Sequence, residues 1–498
     1  MADQRTALTR LYLPLMLSVL LAILVGLWGA SDIDPDPVGS DSGHVLAVAR
    51  NLALHGVHSA AQGDGSGHGR PKTMLREPFP SLVYAGWLLL AFDNLGELSY
   101  RQLNSTGNIE RVKLANHFLI AANGVMLFLL CRAVGCGTAI ALAAQLILVL
   151  CIVLTPNGAV TDLAADPVAM LLVSGFALAL LRVWRATTPW PLLLPGLLLG
   201  LLALSKAIVF YAILPVAILV ALCRWPLRPG WRAVIATALP LALTAFLVCT
   251  PWMVRNWLRF GEPSIALRSG TVIYYRALLN GMTDTEYAGS FFAFSPTDVR
   301  AVIGPILGYA EDDMALGAPL QRLGFRHPTV IPVDQEAIRQ RNPEAAVSYR
   351  RRLDAEQARR MSDPTYRNGR SAEQARGAVE ASLRADAFRI IMSDPWAHLR
   401  VSVPIIWKGL WLTMAPALLA PVANLALLAA PVIAWRRRRP DVTATTVLPL
   451  VMLAGYTLLS HFEARYANPA FAMMLMALAF ALSPLVRGAA RVPSVAPA

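Results

Sequence analysis

Five separated stretches of this 498-residue sequence set acids beside cations or aromatic residues. Such groups can take a proton from one reactant and hold negative charge on another. The first stretch reads DPDPVGSDSGHVLAVARNLALHG and carries Asp41, His44, Asn51 and His55. At about 100° per residue these four share one stripe of a helix predicted from about Gly43 to His55, with Asp41 as its N-cap. Val45, Ala49, Leu52 and Ala53 make an apolar face that could lie on a membrane. The second stretch, REPFPSLVYAGWLL, carries Arg76 and Glu77. The third, TDLAADP, supplies Asp162 and Asp166. The fourth is Lys206, alone between two apolar runs, and the fifth is HFEARY with Glu463, Arg465 and Tyr466. Arg255 follows in PWMVRNWLRFGEP, where the sequence turns polar. Lys206, Arg255 and Arg465 could bind a phosphate, Arg in bidentate fashion. Each group also has a plainer reading. Asp41 and the Asp162–Asp166 pair could cap helices, and Glu77 could be an ordinary helix-start acid. Glu463 and Arg465 could be a local ion pair, Lys206 could snorkel, and Arg255 could anchor a helix end. The histidines His44, His55, His58 and His68 match no compact metal motif and read as solvated or interfacial.

The elements that must position these groups are membrane helices. The chain is 56% hydrophobic and only 15% charged, with mean hydropathy +0.51. A soluble domain carries about a quarter charged residues. The net charge of +13 therefore marks short cytosolic loops rather than a nucleic-acid surface. Basic clusters fall at Arg5 and Arg10, Arg132, Arg182 and Arg185, and Arg224 to Arg232. Others follow at Arg436 to Arg439 and at Arg487 and Arg491. If all are cytosolic, an even number of spans separates each from the next. Ten spans satisfy this, near 11–30, 113–131, 138–155, 166–183, 191–205, 207–223, 233–252, 415–434, 442–460 and 466–486. Phe79–Phe92 and His398–Met414 then become interfacial or re-entrant helices on the outer face. The expected fold is all-α and polytopic, with interfacial helices and one large extracytoplasmic loop. It divides into an N-terminal module over 1–254, whose outer loop is 31–112, a loop region over 255–397, and C-terminal helices over 398–498. Residues 335–389, rich in Ala, Arg, Glu and Gln, read as soluble helix. Both termini fall in the cytosol, and every group named above falls on the opposite face. The five cysteines lie in or beside apolar runs and suggest neither a disulfide framework nor a zinc site.

This order of motifs resembles the GT-C superfamily of membrane glycosyltransferases, in particular bacterial members related to protein O-mannosyltransferases and the lipid A aminoarabinose transferase. The matching stretches are Asp41 with ARNLALHG, REPFPSLVYAGWLL, TDLAADPVAMLL, LSKAIVFYAILP, TPWMVRNWLRFGEP, SDPWAHLRVSVPIIWKGLW and HFEARYANPAF. They cover most of the chain. Two features depart from the pattern. Many members carry two adjacent first-loop acids, whereas Ser42 follows Asp41 here, and Asp93–Arg111 looks like an insertion.

The resemblance implies a sugar donor on a polyprenyl phosphate and an acceptor hydroxyl on a lipid, glycan or protein. It places the reaction at the outer face of a bacterial inner membrane; high Arg, Ala and Leu usage suggests a GC-rich source. Asp41 is the implied general base or acceptor-hydroxyl stabiliser. Arg76, Glu77, His44, Asn51, Asp162, Asp166, Glu463 and Tyr466 are implied substrate-binding residues. Lys206, Arg255 and Arg465 would surround the leaving phosphate. No cofactor motif is present, and a divalent metal stays open because the acidic pair is incomplete. Two other readings of the residues remain. One is a transporter or flippase of lipid-linked substrates, though the matching halves common in carriers are not visible. The other is an O-antigen ligase or polymerase, whose catalysis would rest on the large outer loop.

Overall fold

The computed structural model describes residues 2–63, 71–155 and 162–486. His68, Arg487 and Arg491 lie outside the described residues. The chain is an all-α membrane protein, and no strand occurs among the described residues. Its N-terminal part contains α1 (Ala2–Ala30), α2 (Ser40–His55), α3 (Pro78–Ala91), α4 (Asn108–Ala133), α5 (Thr138–Leu154), α6 (Asp166–Arg182), α7 (Leu193–Ala203), α8 (Ile208–Cys223) and α9 (Trp231–Phe260). The loop region contains α10 (Ser269–Leu278), α11 (Asp284–Ala293), α12 (Thr297–Leu307), α13 (Ile331–Gln340), α14 (Tyr349–Ser362) and α15 (Ala372–Ser393). The chain then continues through α16 (Pro395–Gly409), α17 (Leu419–Arg436), α18 (Pro440–Leu459) and α19 (Phe471–Val486). Six of these segments are long and apolar enough to cross a membrane, and α5, α7 and α8 are shorter apolar helices.

All ten expected spans are helical, with shifted ends. Helix α7 has 11 residues, and Lys206 lies in the turn between α7 and α8, between the two apolar runs. Helix α9 runs for 30 residues, through Pro240 and Pro251, and ends at a left-handed Gly261. Arg255 is consequently a helical residue and does not open the loop. The two doubtful segments are helices of 14 and 15 residues. The exposed Trp396, Leu399, Val403 and Ile406 leave α16 an apolar face on its outside.

Close packing comes from small residues where apolar contact alone cannot discriminate between helix and lipid. A Cβ on Gly196 would sit 2.8 Å from the Leu241 carbonyl, and one on Gly200 would sit 2.8 Å from that of Ala245. Only glycine lets α7 meet α9 this closely. Polar groups make the other cross-links. Ser18 on α1 donates to Gln145 on α5 at 2.7 Å.

The basic turns collect at one set of helix ends. Arg439 donates to the Val134 carbonyl, Arg224 to that of Ala186 and Arg228 to that of Thr187. Helices α6 and α18 run from this end to the end that carries Asp166 and His461. The candidate site therefore lies opposite the arginine-rich turns.

The expected soluble helices form a compact layer over that end, with α10 pressed along α15. Its deepest tie is Arg276, fully buried on α10. Its Nε donates to the Thr457 carbonyl at 3.1 Å, and one terminal nitrogen donates to the His398 carbonyl at 2.7 Å and to Ser402 at 2.8 Å. The other terminal nitrogen donates to Asn280 at 3.0 Å. A buried cation needs this full set of acceptors, because desolvation is otherwise uncompensated.

Candidate active site

Helix α2 begins one residue before Asp41, with Gly39 as N-cap and no side-chain cap bond. The carboxylate of Asp41 is thus free of the capping role that the sequence suggested. Three arginines meet it. Arg76 is ion-paired to Oδ1, Arg268 lies 3.4 Å from Oδ1, and Arg465 lies 3.3 Å from Oδ2. They arrive from the first loop, the large loop and the turn before α19. Burial pushes the Asp41 carboxyl up, but the hydrogen bond and charge of Arg76 with the charges of Arg268 and Arg465 outweigh it. The group is held well below the usual carboxylate range and is fully ionised. Arg76 also donates to Nδ1 of His44 at 3.3 Å. Burial and the nearby Arg76 and Arg268 charges lower the His44 pKa, which keeps the ring neutral.

The rest of α2 acts as support. Its apolar face does not lie on lipid. Val45, Leu46 and Ala49 pack with Tyr84, Ala85 and Leu88 of α3 and with Ile109 and Val112 of α4. The expected insertion buttresses the same helix. Arg50 donates twice to the Leu98 carbonyl, and the Tyr100 hydroxyl donates to the Gly43 carbonyl at 3.3 Å. Asn51 turns away from Asp41 and donates to the carbonyls of Ser59 and Ala61, where it fixes the following loop.

A second ion pair flanks Asp41. Asp166, buried at the start of α6, pairs with Lys206 in the α7–α8 turn. Glu77 caps the start of α3, and its carboxylate accepts from the Ala207 amide at 3.5 Å, beside Lys206. The Phe79 amide donates to the Leu204 carbonyl at 3.1 Å, which locks α3 to the same turn. Asp162 accepts from Ser42 at 3.0 Å. A second acid at position 42 would confront that carboxylate, which is a physical account of serine there.

The HFEARY turn closes the site. Glu463 accepts from Nε2 of His461 at 3.1 Å and lies 4.0 Å from Arg465. The His461 hydrogen bond, against burial and with help from Lys408 and Arg465, lowers the Glu463 pKa. Tyr466 stacks on Tyr456 with ring centroids 4.8 Å apart. Asp166 and Asp41 also act on the Arg465 charge, so the three acid-bearing turns surround one guanidinium.

The structure therefore brings together Asp41, His44, Arg76, Glu77, Asp162, Asp166, Lys206, Glu463, Arg465 and Tyr466. It does not bring in Asn51 or Arg255. Arg255 donates to the Thr73 carbonyl at 3.1 Å and lies over the Trp252 ring at 4.5 Å, which makes it a brace between α9 and the first loop. Sequence reasoning missed Arg268. It stands in a loop without a motif, 227 residues from its carboxylate partner.

Among the described residues no group of three or more His, Cys, Asp or Glu side chains gathers around a point. Asp41 is ringed by guanidinium groups, and a divalent ion would meet three positive charges there. These residues do not fit a divalent metal at Asp41.

Arg268 is placed by the contact of α10 with α15. A methyl group on Gly270 would overlap the Glu380 carbonyl. Gly270→Ala should force the two helices apart, cost about 1–3 kcal/mol, and draw Arg268 off Asp41. Lower thermal stability with a matching loss of activity is expected, and an unchanged melting curve would refute the close approach.

No family model matches the chain, and no curated relative matches it. Among solved structures it is similar to the archaeal oligosaccharyltransferase AglB from Archaeoglobus fulgidus, in complex with an inhibitory peptide and a dolichol-phosphate. The identity is 12% over 97% of this chain and 52% of that one, with a TM-score of 0.45. Another structure of the Archaeoglobus fulgidus oligosaccharyltransferase, in complex with Zn and sulfate, matches at 12% identity over 95% of this chain and 49% of that one, with a TM-score of 0.45. ArnT from Cupriavidus metallidurans in the apo state matches at 16% identity over 94% of this chain and 76% of that one, with a TM-score of 0.34. The chain spans about half the length of the oligosaccharyltransferase structures it matches.

Proposed function

We propose that this protein is a glycosyltransferase. It moves a sugar from a polyprenyl-phosphate-linked donor to a hydroxyl acceptor at the extracytoplasmic face of a bacterial inner membrane, with both termini in the cytosol. The observation that carries this reading is one carboxylate, Asp41, held among three arginines from distant segments, beside the Asp166–Lys206 pair. That arrangement supplies a proton acceptor and a bed for a leaving phosphate within one polar site.

In the reaction the acceptor oxygen bonds to the anomeric carbon. The bond from that carbon to the phosphate oxygen breaks, and its electron pair stays on the phosphate. The hydroxyl proton passes to Asp41. Asp41 is a weak base while its oxygens face arginines, since effective bases titrate near working pH. The contacts to Arg268 and Arg465, at 3.4 and 3.3 Å, are the looser ones. The anionic phosphodiester of the donor draws both guanidiniums towards itself, and Asp41 then regains basicity as donor binds. Arg465, Arg268 and Lys206 stabilise the charge that grows on the leaving group. Glu77, Asp166 and Glu463 hold the cations and orient sugar or acceptor hydroxyls, with Tyr466 and Tyr456 as an apolar wall.

The test is a panel of polyprenyl-phosphate sugars offered to the purified protein in nanodiscs with an envelope acceptor extract. Release of free polyprenyl phosphate with one sugar is expected. If every donor in a broad panel survives intact, the reading fails.

A further inference from the structure

Against the His461–Glu463 turn lies a second group of cations to which the proposed reaction assigns no role. Lys408, in the last turn of α16, donates to the His461 carbonyl at 3.3 Å and lies 5.4 Å from the Phe294 ring centroid. Among the described residues no carboxylate stands within ion-pair distance of it, so an ammonium with three donors has one acceptor. Arg350 lies over the Tyr275 ring at 5.6 Å, and that ring lies 4.8 Å from the His461 ring. Arg350 also lies 3.9 Å from Asp354, a long ion pair at the half-exposed edge of the cluster. Arg326 lies over the ring of its neighbour Phe325 at 5.2 Å. Burial acts on the Lys408 charge first, then Glu463, and both arginines oppose it.

Two buried polar atoms close by also lack partners. One is Nε1 of Trp411, a donor one turn beyond Lys408. The other is Nδ1 of His461, whose residue is 4% exposed. His461 gives its Nε2 hydrogen to Glu463, and burial keeps the ring neutral, so Nδ1 carries a lone pair. Buried polar atoms in folded proteins are nearly always satisfied. The unmet donors call for an anionic oxygen, and the unmet acceptor calls for a hydroxyl beside it.

We propose that Lys408, Arg350 and Arg326 line a second anion subsite, which takes the phosphate or carboxylate of a hydroxyl-bearing acceptor. The assignment to the acceptor rests on the glycosyltransferase reading, in which Arg465 and Lys206 hold the donor phosphate. The chemistry is that of a glycerophosphate or a sugar acid, in which an anion and a hydroxyl stand a few bonds apart.

The experiment is equilibrium dialysis of radiolabelled glycerol 3-phosphate against the full chain in maltoside micelles, without phospholipid. Wild type should bind the probe, with glycerol alone at least 10-fold weaker. Lys408→Met should lose 10-fold or more in affinity, and Lys408→Arg should stay within about threefold, which separates lost charge from lost fold. Equal binding by Lys408→Met and wild type would overturn the proposal, as would no binding by wild type. Loss in Arg465→Met with retention in Lys408→Met would also overturn it, because the phosphate would then occupy the donor position. The assay needs no turnover. Failure here therefore leaves the donor-consumption result standing, and the reverse also holds.

Discussion

Asp41→Asn lowers release of polyprenyl phosphate by at least ~100-fold, the loss expected when a general base is removed. The change keeps the size of the side chain and removes only its charge and basicity. It also leaves Arg76, Arg268 and Arg465 facing a neutral group, so a donor phosphate no longer competes with a carboxylate for them. Donor binding should therefore hold steady or tighten while turnover collapses. That split distinguishes a base from a residue that merely holds the arginines in place, whose loss would weaken binding as well. Measuring donor affinity beside single-turnover rate decides the matter. If the variant turns over at the wild-type rate, the base lies elsewhere, and Glu77 and Asp166 are the next carboxylates to change. That result would also favour a reaction centred on the large outer loop.

Arg465→Met should cost ~100-fold to ~1000-fold in turnover, the range seen when one preorganised donor to a developing oxyanion is lost. Arg465 is the hub of the site. Asp41 lies 3.3 Å from it, Glu463 lies 4.0 Å away, and Asp166 acts on its charge. Its side chain is 44% exposed, so it can reach an arriving phosphate. Arg465→Lys should restore part of the rate, because a point charge replaces a bidentate fork. The kinetic signature is a fall in single-turnover rate larger than any rise in half-saturating donor. A variant within about threefold of wild type would remove Arg465 from the leaving-group role.

The helices were legible because membrane spans announce themselves by composition, and the two doubtful segments are helices of 14 and 15 residues. The acids were legible as well. Each stands at an element boundary facing one side, so Asp41, Asp166 and Glu463 could be grouped before any distance was known. The partners were not. Arg268 lacks a motif, and only the packing of α10 on α15, with Gly270 against Glu380, carries it to Asp41. Asn51 shares the helical stripe of Asp41 on a wheel, yet a wheel ignores the loop that folds back beneath it at Ser59 and Ala61. Arg255 was misread because the apolar run stops near Trp252, whereas α9 continues through the polar Arg255, Asn256 and Arg259 to Phe260. Asp41 looked like a cap because Gly39, Ser40 and Asp41 are all residue types favoured at a helix start, and the helix starts earlier than its first apolar residue.

The buried guanidinium of Arg276 bears on how substrates come and go. It is spiked into the carbonyls of Thr457 and His398, on two elements other than its own, with no carboxylate to accompany it out. Swinging α10 away from the bundle would strip three hydrogen bonds from a charged group in one step. A clamshell that gapes and shuts once per cycle is thus a costly motion for this protein. On the glycosyltransferase reading, a lipid-linked substrate enters sideways through the plane of the leaflet, with the roof left in place, and the pace of the cycle depends on two-dimensional encounter among lipids rather than on the swing of a domain.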